Sequence, residues 1–307
     1  MNKFRKGAGL WLACCLSLLV LFSCKSGSEN SGSGNAITIK INFKPGEKYL
    51  YTTKVNQKIN SLNTTMDQSM VMEMVYAYEG EEGNNKKLKI TYDHVAMSLT
   101  TPMGPVQYDS KTPEKSPADM AFMNELIGKS FSIKIAPNGD IAAVEGLGEL
   151  IKSLSGNADG NTRAAMESQF SDTAIRMMMQ NSFDLYPGKE IKVGESWGKK
   201  SVMGMGLQGI NVNMENTYTL KSISNGKATV AVVSAMNLPA TDMSAAAGVP
   251  MQIRMNGKQE GTMELDINTG QILSGKTTQN IEGQISGGGQ TIPMNITGDV
   301  LINSKKL

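Results

Sequence analysis

Apolar and polar residues alternate with period two along much of this chain. Ile37, Ile39, Ile41 and Phe43 alternate with Thr38, Lys40 and Asn42, which predicts a half-buried strand. Phe131, Ile133 and Ile135 repeat the pattern around Ser132 and Lys134. Ile210, Val212, Met214, Tyr218 and Leu220 carry it further, with Asn211, Asn213, Glu215, Thr217 and Thr219 on the other face. Met263 to Ile267 and Met294 to Thr297 continue it. Strands wet on one face belong to an antiparallel sheet. Asn225-Gly226, Asn256-Gly257 and Gly287-Gly288-Gly289 read as turns or loops between them.

Two stretches break this rhythm. Ser116-Pro117-Ala118-Asp119 offers an N-cap, a proline at the first helical position and an acid in the first turn. Met120, Met123 and Ile127 follow, so the pattern predicts a short helix over 117–127. From about Asn161 to Phe183, Met166, Phe170, Ala174 and Met177 form one helical stripe. Ile175, Met179 and Phe183 form a neighbouring one, and Tyr186-Pro187-Gly188 stops the helix. Leu147 to Leu154 reads as another helical turn or two.

The halves of the chain echo one another. Pro45-Gly46-Glu47-Lys48-Tyr49 corresponds to Val193-Gly194-Glu195-Ser196-Trp197, and Tyr76–Tyr92 to Tyr218–Val233. Ile135 to Ile141, with Asn138-Gly139, corresponds to Asp266 to Ile272, with Thr269-Gly270. The organisation expected is a first β-module with a short helix at 37–142, a helical connector at 143–188 and a second β-module at 189–307.

The N-terminus has a different pattern. Lys3, Arg5 and Lys6 precede an uncharged run from Leu10 to Phe22, which has signal-peptide length and is too short to span a bilayer comfortably. Leu21-Phe22-Ser23-Cys24 resembles a bacterial lipoprotein lipobox, with Phe22 larger than the residue usual at its place. The resemblance implies a signal peptide at 1–23, acylation of Cys24 and a flexible Ser/Gly tether at 24–36. Removing 1–23 turns 30 basic and 28 acidic residues into 27 and 28, so a nucleic-acid partner loses its main support. Cys14 and Cys15 leave with the leader, and Cys24 is consumed by the lipid. No disulfide or cysteine metal site is then expected within one molecule.

The lipobox, Pro45-Gly46-Glu47-x-Tyr49, the Asn138-Gly139 turn before Ile141 and Gly194-Glu195-Ser196-Trp197 together resemble an uncharacterised lipoprotein family of Bacteroidota. The resemblance implies location and architecture across nearly the whole mature chain. Its motifs are turns and strand entries, so it implies no catalytic residue.

Candidate chemistry is sparse. His94 is the only histidine, which leaves a zinc site or a catalytic triad without partners; it reads as an ordinary strand or loop residue. The eight tyrosines read as strand residues whose rings pack with the hydroxyl at the rim. Glu81-Glu82 reads as a solvated hairpin tip, and Gly287-Gly288-Gly289 lacks the Lys-Ser/Thr of a phosphate loop. Methionine is abundant, 22 residues against 7 Phe, and Met70, Met72 and Met74 share one strand face. Met203 and Met205 repeat that spacing. Such clusters serve as packing or as an adaptable apolar cavity; thioethers also suit Cu(I).

The fold class expected is mainly β: a large curved antiparallel sheet, as two related modules or a half-barrel, with a few helices on it. The function expected is a non-enzymatic envelope protein without a cofactor, anchored through Cys24, on the periplasmic side of the outer membrane. Its expected partners are the membrane and an apolar or lipid-like ligand, met by Met70, Met72, Met74, Met166, Phe170, Met177, Met203 and Met205. The alternatives are a structural lipoprotein that binds another envelope protein, and a Met-based Cu(I) carrier.

Overall fold

The alternating segments assemble into one twelve-stranded antiparallel sheet. The computed structural model describes residues 36–62, 64–101, 104–155, 171–204, 211–244 and 249–307. The sheet comprises β2 (Lys48–Ser61), β3 (Thr64–Glu82), β4 (Asn85–Thr101), β5 (Gly104–Asp109), β6 (Ser130–Ile135) and β7 (Ile141–Glu145) from the first half. The second half contributes β9 (Ser196–Gly204), β10 (Asn211–Ser224), β11 (Lys227–Asp242), β12 (Met251–Asp266), β13 (Ile272–Gly287) and β14 (Gln290–Lys306). The spatial order is β7-β6-β4-β3-β2-β14-β13-β12-β11-β10-β9, with β5 also on β4. The β2–β14 ladder, from Tyr49↔Lys306 to Ser61↔Met294, joins the two halves in a single sheet.

Between β7 and β8 (Glu190–Ile191) lie α1 (Leu147–Ser155) and α2 (Asp172–Phe183). The Ser171 side chain caps α2 by accepting from Ala174 N at 3.2 Å. This helix packs against both edge strands, β7 and β9. Its Gln180 Oε1 accepts from Ile141 N at 2.7 Å, and Asp140 Oδ1 reaches Lys199 Nζ at 3.8 Å across the gap. The sheet therefore turns back on itself, and α2 stands between its two ends. No ladder joins β7 to β9 among the described residues. Among those residues, too, no helix is long and apolar enough to cross a membrane.

Three local expectations need correction. Ile39, Ile41 and Phe43 are buried as the alternation implies, but only Ile37–Thr38 form a strand, β1, paired with β8. The rest runs extended over the β12–β13 turn, with Asn42 N donating to Thr269 O at 2.8 Å. Alternation reports which side chains are buried, and here the burying surface is a turn rather than a neighbouring strand. The helix expected over 117–127 is a 3-10 helix at Ala118–Leu126. Met120, Met123 and Leu126 recur every three residues, which is the 3-10 repeat. Ser116 does not cap it and instead accepts from Asp109 N at 3.3 Å. Asn256-Gly257 is not a turn but lies inside β12. A Cβ at Gly257 would stand 2.7 Å from Ile281 Cγ1, so this glycine serves close cross-strand packing.

Candidate functional site

Successive strand residues point to opposite faces, so the ladder registers sort the covered face into rungs. One rung carries Thr53 on β2 between Met72 on β3 and Ile302 on β14, its two cross-strand partners. The next carries Met74 opposite Tyr51. Above this wall lies the C-terminal half of α2, contributing Met178, Met179, Asn181, Ser182 and Phe183. Between helix and sheet is a cavity of about 100 Å³, closed further by Phe43, Tyr76, Tyr218 and Met263. None of its lining residues is charged.

The methionines expected to face a ligand are distributed unevenly around this space. Met72 and Met74 line it. Met70 is buried in the core one step further along the same face and is not part of the wall. Met177 is also off the wall, because the buried face of α2 is set by Ile175, Met179 and Phe183, and this turns Met178 inward in its place. Met203 is in β9, paired with Val212, and its side chain is not described. Cys24, Met166, Phe170 and Met205 lie outside the described residues.

Two buried polar groups of lining residues keep unused hydrogen-bonding capacity among the described residues: Asn181 Oδ1 has no donor, and the Tyr218 hydroxyl, beside the Asn216 amide, has no acceptor for its proton. The Asn181 amide donates to Met177 O at 2.9 Å, which fixes its oxygen as the free end. Near Tyr218, the Asn216 amide donates to Ser201 Oγ at 3.2 Å, and its oxygen accepts from Ser234. Burial pushes the Tyr218 hydroxyl far above the usual tyrosine pKa, so it remains a proton donor. Sequence reasoning missed Asn181. Its signal was an amide at the helical position three after Met178, on a stripe otherwise apolar.

One rung below Tyr218 the covered face turns polar. Asn216, Ser234, Gln259, Gln279, Gly298, Gln57 and Gln68 are successive register partners across seven strands. All but Gly298 are buried. Gln259 Nε2 donates to Gln279 Oε1 at 2.6 Å within this belt. In the sequence Gln57 interrupts an apolar alternation between Val55 and Ile59, as Gln68 does between Met66 and Met70, but the partnership across strands depends on register and was not legible.

His94 sits on the opposite face. Its Nδ1 lies 3.2 Å from Glu73 Oε2 and its Nε2 2.9 Å from Asp109 Oδ1, with Lys111 Nζ also 3.0 Å from Glu73. Both ring nitrogens face carboxylates, so the ring acts as a cross-strand tie and offers no free nitrogen for proton abstraction. Among the described residues no group of His, Cys, Asp and Glu is arranged to hold a metal ion.

No curated protein matches the chain. Solved structures that align include the beta domain of the Bordetella autotransporter BrkA, at 9% identity over 84% of this chain and 99% of that one, TM-score 0.24. DynF from the dynemicin biosynthesis pathway of Micromonospora chersina aligns at 9% identity over 92% and 93%, TM-score 0.21. Pseudomonas aeruginosa OpdQ aligns at 5% identity over 86% and 100%, TM-score 0.22. At these scores no property passes from them to this chain. The sequence itself matches a family model across residues 83–272, from the β3–β4 turn to the start of β13, and the chain belongs to that family, DUF6263, a family of unknown function.

Proposed function

We propose that this protein is a non-enzymatic, lipid-anchored component of a bacterial cell envelope that holds an apolar ligand between its sheet and α2. The observation that carries the reading is the uncharged cavity under α2, walled by Met72, Met74, Met178 and aromatic rings. Ligand pockets are mostly apolar with a few placed polar groups, and thioether side chains adapt their shape to what they contact. Lipid anchoring rests on the lipobox resemblance around Cys24, and with it the placement at the periplasmic side of the outer membrane and the kinship with Bacteroidota lipoproteins. The half-barrel arrangement expected from sequence is supported by the approach of both sheet edges to α2. A sheet turned in this way has one concave face on which such a molecule can sit.

The test is binding of n-pentane, a short apolar chain, to the purified protein, followed through the methionine methyl resonances in NMR spectra. The wild type is expected to show saturable shifts. Met178→Trp, which fills the cavity from the helix side, is expected to weaken binding at least tenfold while the melting curve stays cooperative. Equal binding by the two proteins sinks the reading. Native mass spectrometry of the same preparation would identify a ligand retained from the cell.

A further inference from the structure

We infer that the ligand carries one uncharged polar group that both donates and accepts a hydrogen bond, an alcohol or a protonated carboxyl, bound by Asn181 and Tyr218. The inference rests on the reading of the cavity as a ligand site and adds the chemical class of what fills it.

A buried donor or acceptor without a partner is costly, and native proteins leave few of them. Here one of each faces the same cavity: the Asn181 oxygen can only accept, and the Tyr218 hydroxyl has a proton to give. A ligand atom group that answers both must itself donate and accept. An ether, ester or ketone oxygen answers Tyr218 alone. A charged headgroup is excluded by the wall, because no lining residue carries a compensating charge and an unpaired buried ion is far costlier than a neutral dipole. The volume bounds the remainder: about 100 Å³ is less than the roughly 150 Å³ of an engineered apolar cavity that takes up benzene. The closed site therefore takes a short chain next to its polar group, and a ring or a longer tail requires Met72, Met74 and Met178 to change rotamer or α2 to move.

A single bound water could also answer both atoms, and the experiment separates this case. Calorimetric titrations of the purified full chain would compare 1-hexanol, methyl pentyl ether and hexylammonium, which share a chain size and differ in the polar group. The alcohol is expected to bind about tenfold more tightly than the ether, the worth of one neutral hydrogen bond. The ammonium is expected not to bind. Asn181→Leu should bring alcohol and ether together without weakening the ether, whereas Tyr218→Phe should weaken both to a similar extent and leave the alcohol's lead in place; Tyr218→Phe keeps the buried ring, so it should fold. Equal affinity of alcohol and ether in the wild type overturns the inference while leaving an apolar cavity intact. So does a crystal structure of the alcohol complex in which a water, and not the alcohol, lies between the two side chains. Failure of both alcohol and ether to bind defeats the cavity reading itself.

Discussion

Glu47, at the entry to β2, is held ionised by three donors. Lys306 Nζ lies 2.6 Å from it, Lys44 N 2.8 Å and the Tyr49 hydroxyl 3.0 Å. Lys306 above all, then the Lys44 N–H, hold its carboxyl from an ordinary 4.5 down to about 2. The folded value is depressed, so this contribution to stability is present above the unfolded value of 4.5. It is lost as pH falls from there through about 2. Glu47→Gln is expected to cost roughly 1 kcal/mol near neutrality, a modest sum because Lys306 is largely exposed. Its melting temperature should also fall less steeply than the wild type's between pH 4.5 and 2, which thermal scans at a series of pH values would check. An equal slope in both proteins removes Glu47 as a source of acid sensitivity. Only the motif was legible in the sequence: Glu195 in the matching motif repeats the local bond, accepting from Lys192 N at 2.8 Å, whereas Lys306 reaches Glu47 from the far end of the chain. Asn181 and Tyr218 were not readable as a pair. They lie on a helix and a strand 37 positions apart, and only the fold brings them to one cavity.

At the scale of elements, period-two alternation located β6, β10 and parts of β12 and β14, because each has one wet and one dry face. It could not tell a ladder from an extended segment lying on something else. Residues 39–43 have the strand pattern, yet their partner is the β12–β13 turn, where Gly270 has φ +70°. A Cβ at Gly270 would overlap the Lys40 carbonyl, so this glycine permits both the turn and the seating of the segment. Gly83, in the β3–β4 turn, also has a left-handed backbone, at φ +61°, but open space around its Cβ position. Gly270→Ala is therefore expected to cost more than about 2 kcal/mol, against about 1 kcal/mol for Gly83→Ala, where only backbone strain acts. Urea denaturation of the two variants measures the difference. Equal losses would mean that residues 39–43 shift away from the turn at little cost.

Across the whole molecule, the two halves run round the sheet in the same sense, and their entries share hydrogen bonds as well as sequence. Gly46 N donates to Tyr78 O and Tyr78 N to Glu47 O; Gly194 N donates to Leu220 O and Leu220 N to Glu195 O. The halves end differently. After β13, β14 follows and pairs with both β13 and β2. After β7 no such strand occurs among the described residues, and α2 occupies the gap between β7 and β9. A helix cannot continue a ladder, so one junction is sealed by backbone bonds along β14. The other depends on side chains, chiefly Gln180, which accepts from Ile141 N at 2.7 Å and donates to Gly139 O at 3.3 Å and to Asp184 Oδ1 at 2.9 Å. This asymmetry was hidden in the sequence, where the repeat marks equivalent strands but not which neighbour each one meets. It makes the α2 junction the place where the cavity opens at least cost, since local opening follows the weakest set of bonds. Gln180→Leu leaves the Ile141 N–H without its acceptor and should speed amide hydrogen exchange in α2 and β7 by tenfold or more. Exchange along β2 and β14, on the far side of the sheet, should remain at its wild-type rate. Uniform acceleration everywhere would mean that the sheet and helix open only together, and that entry to the cavity requires global unfolding.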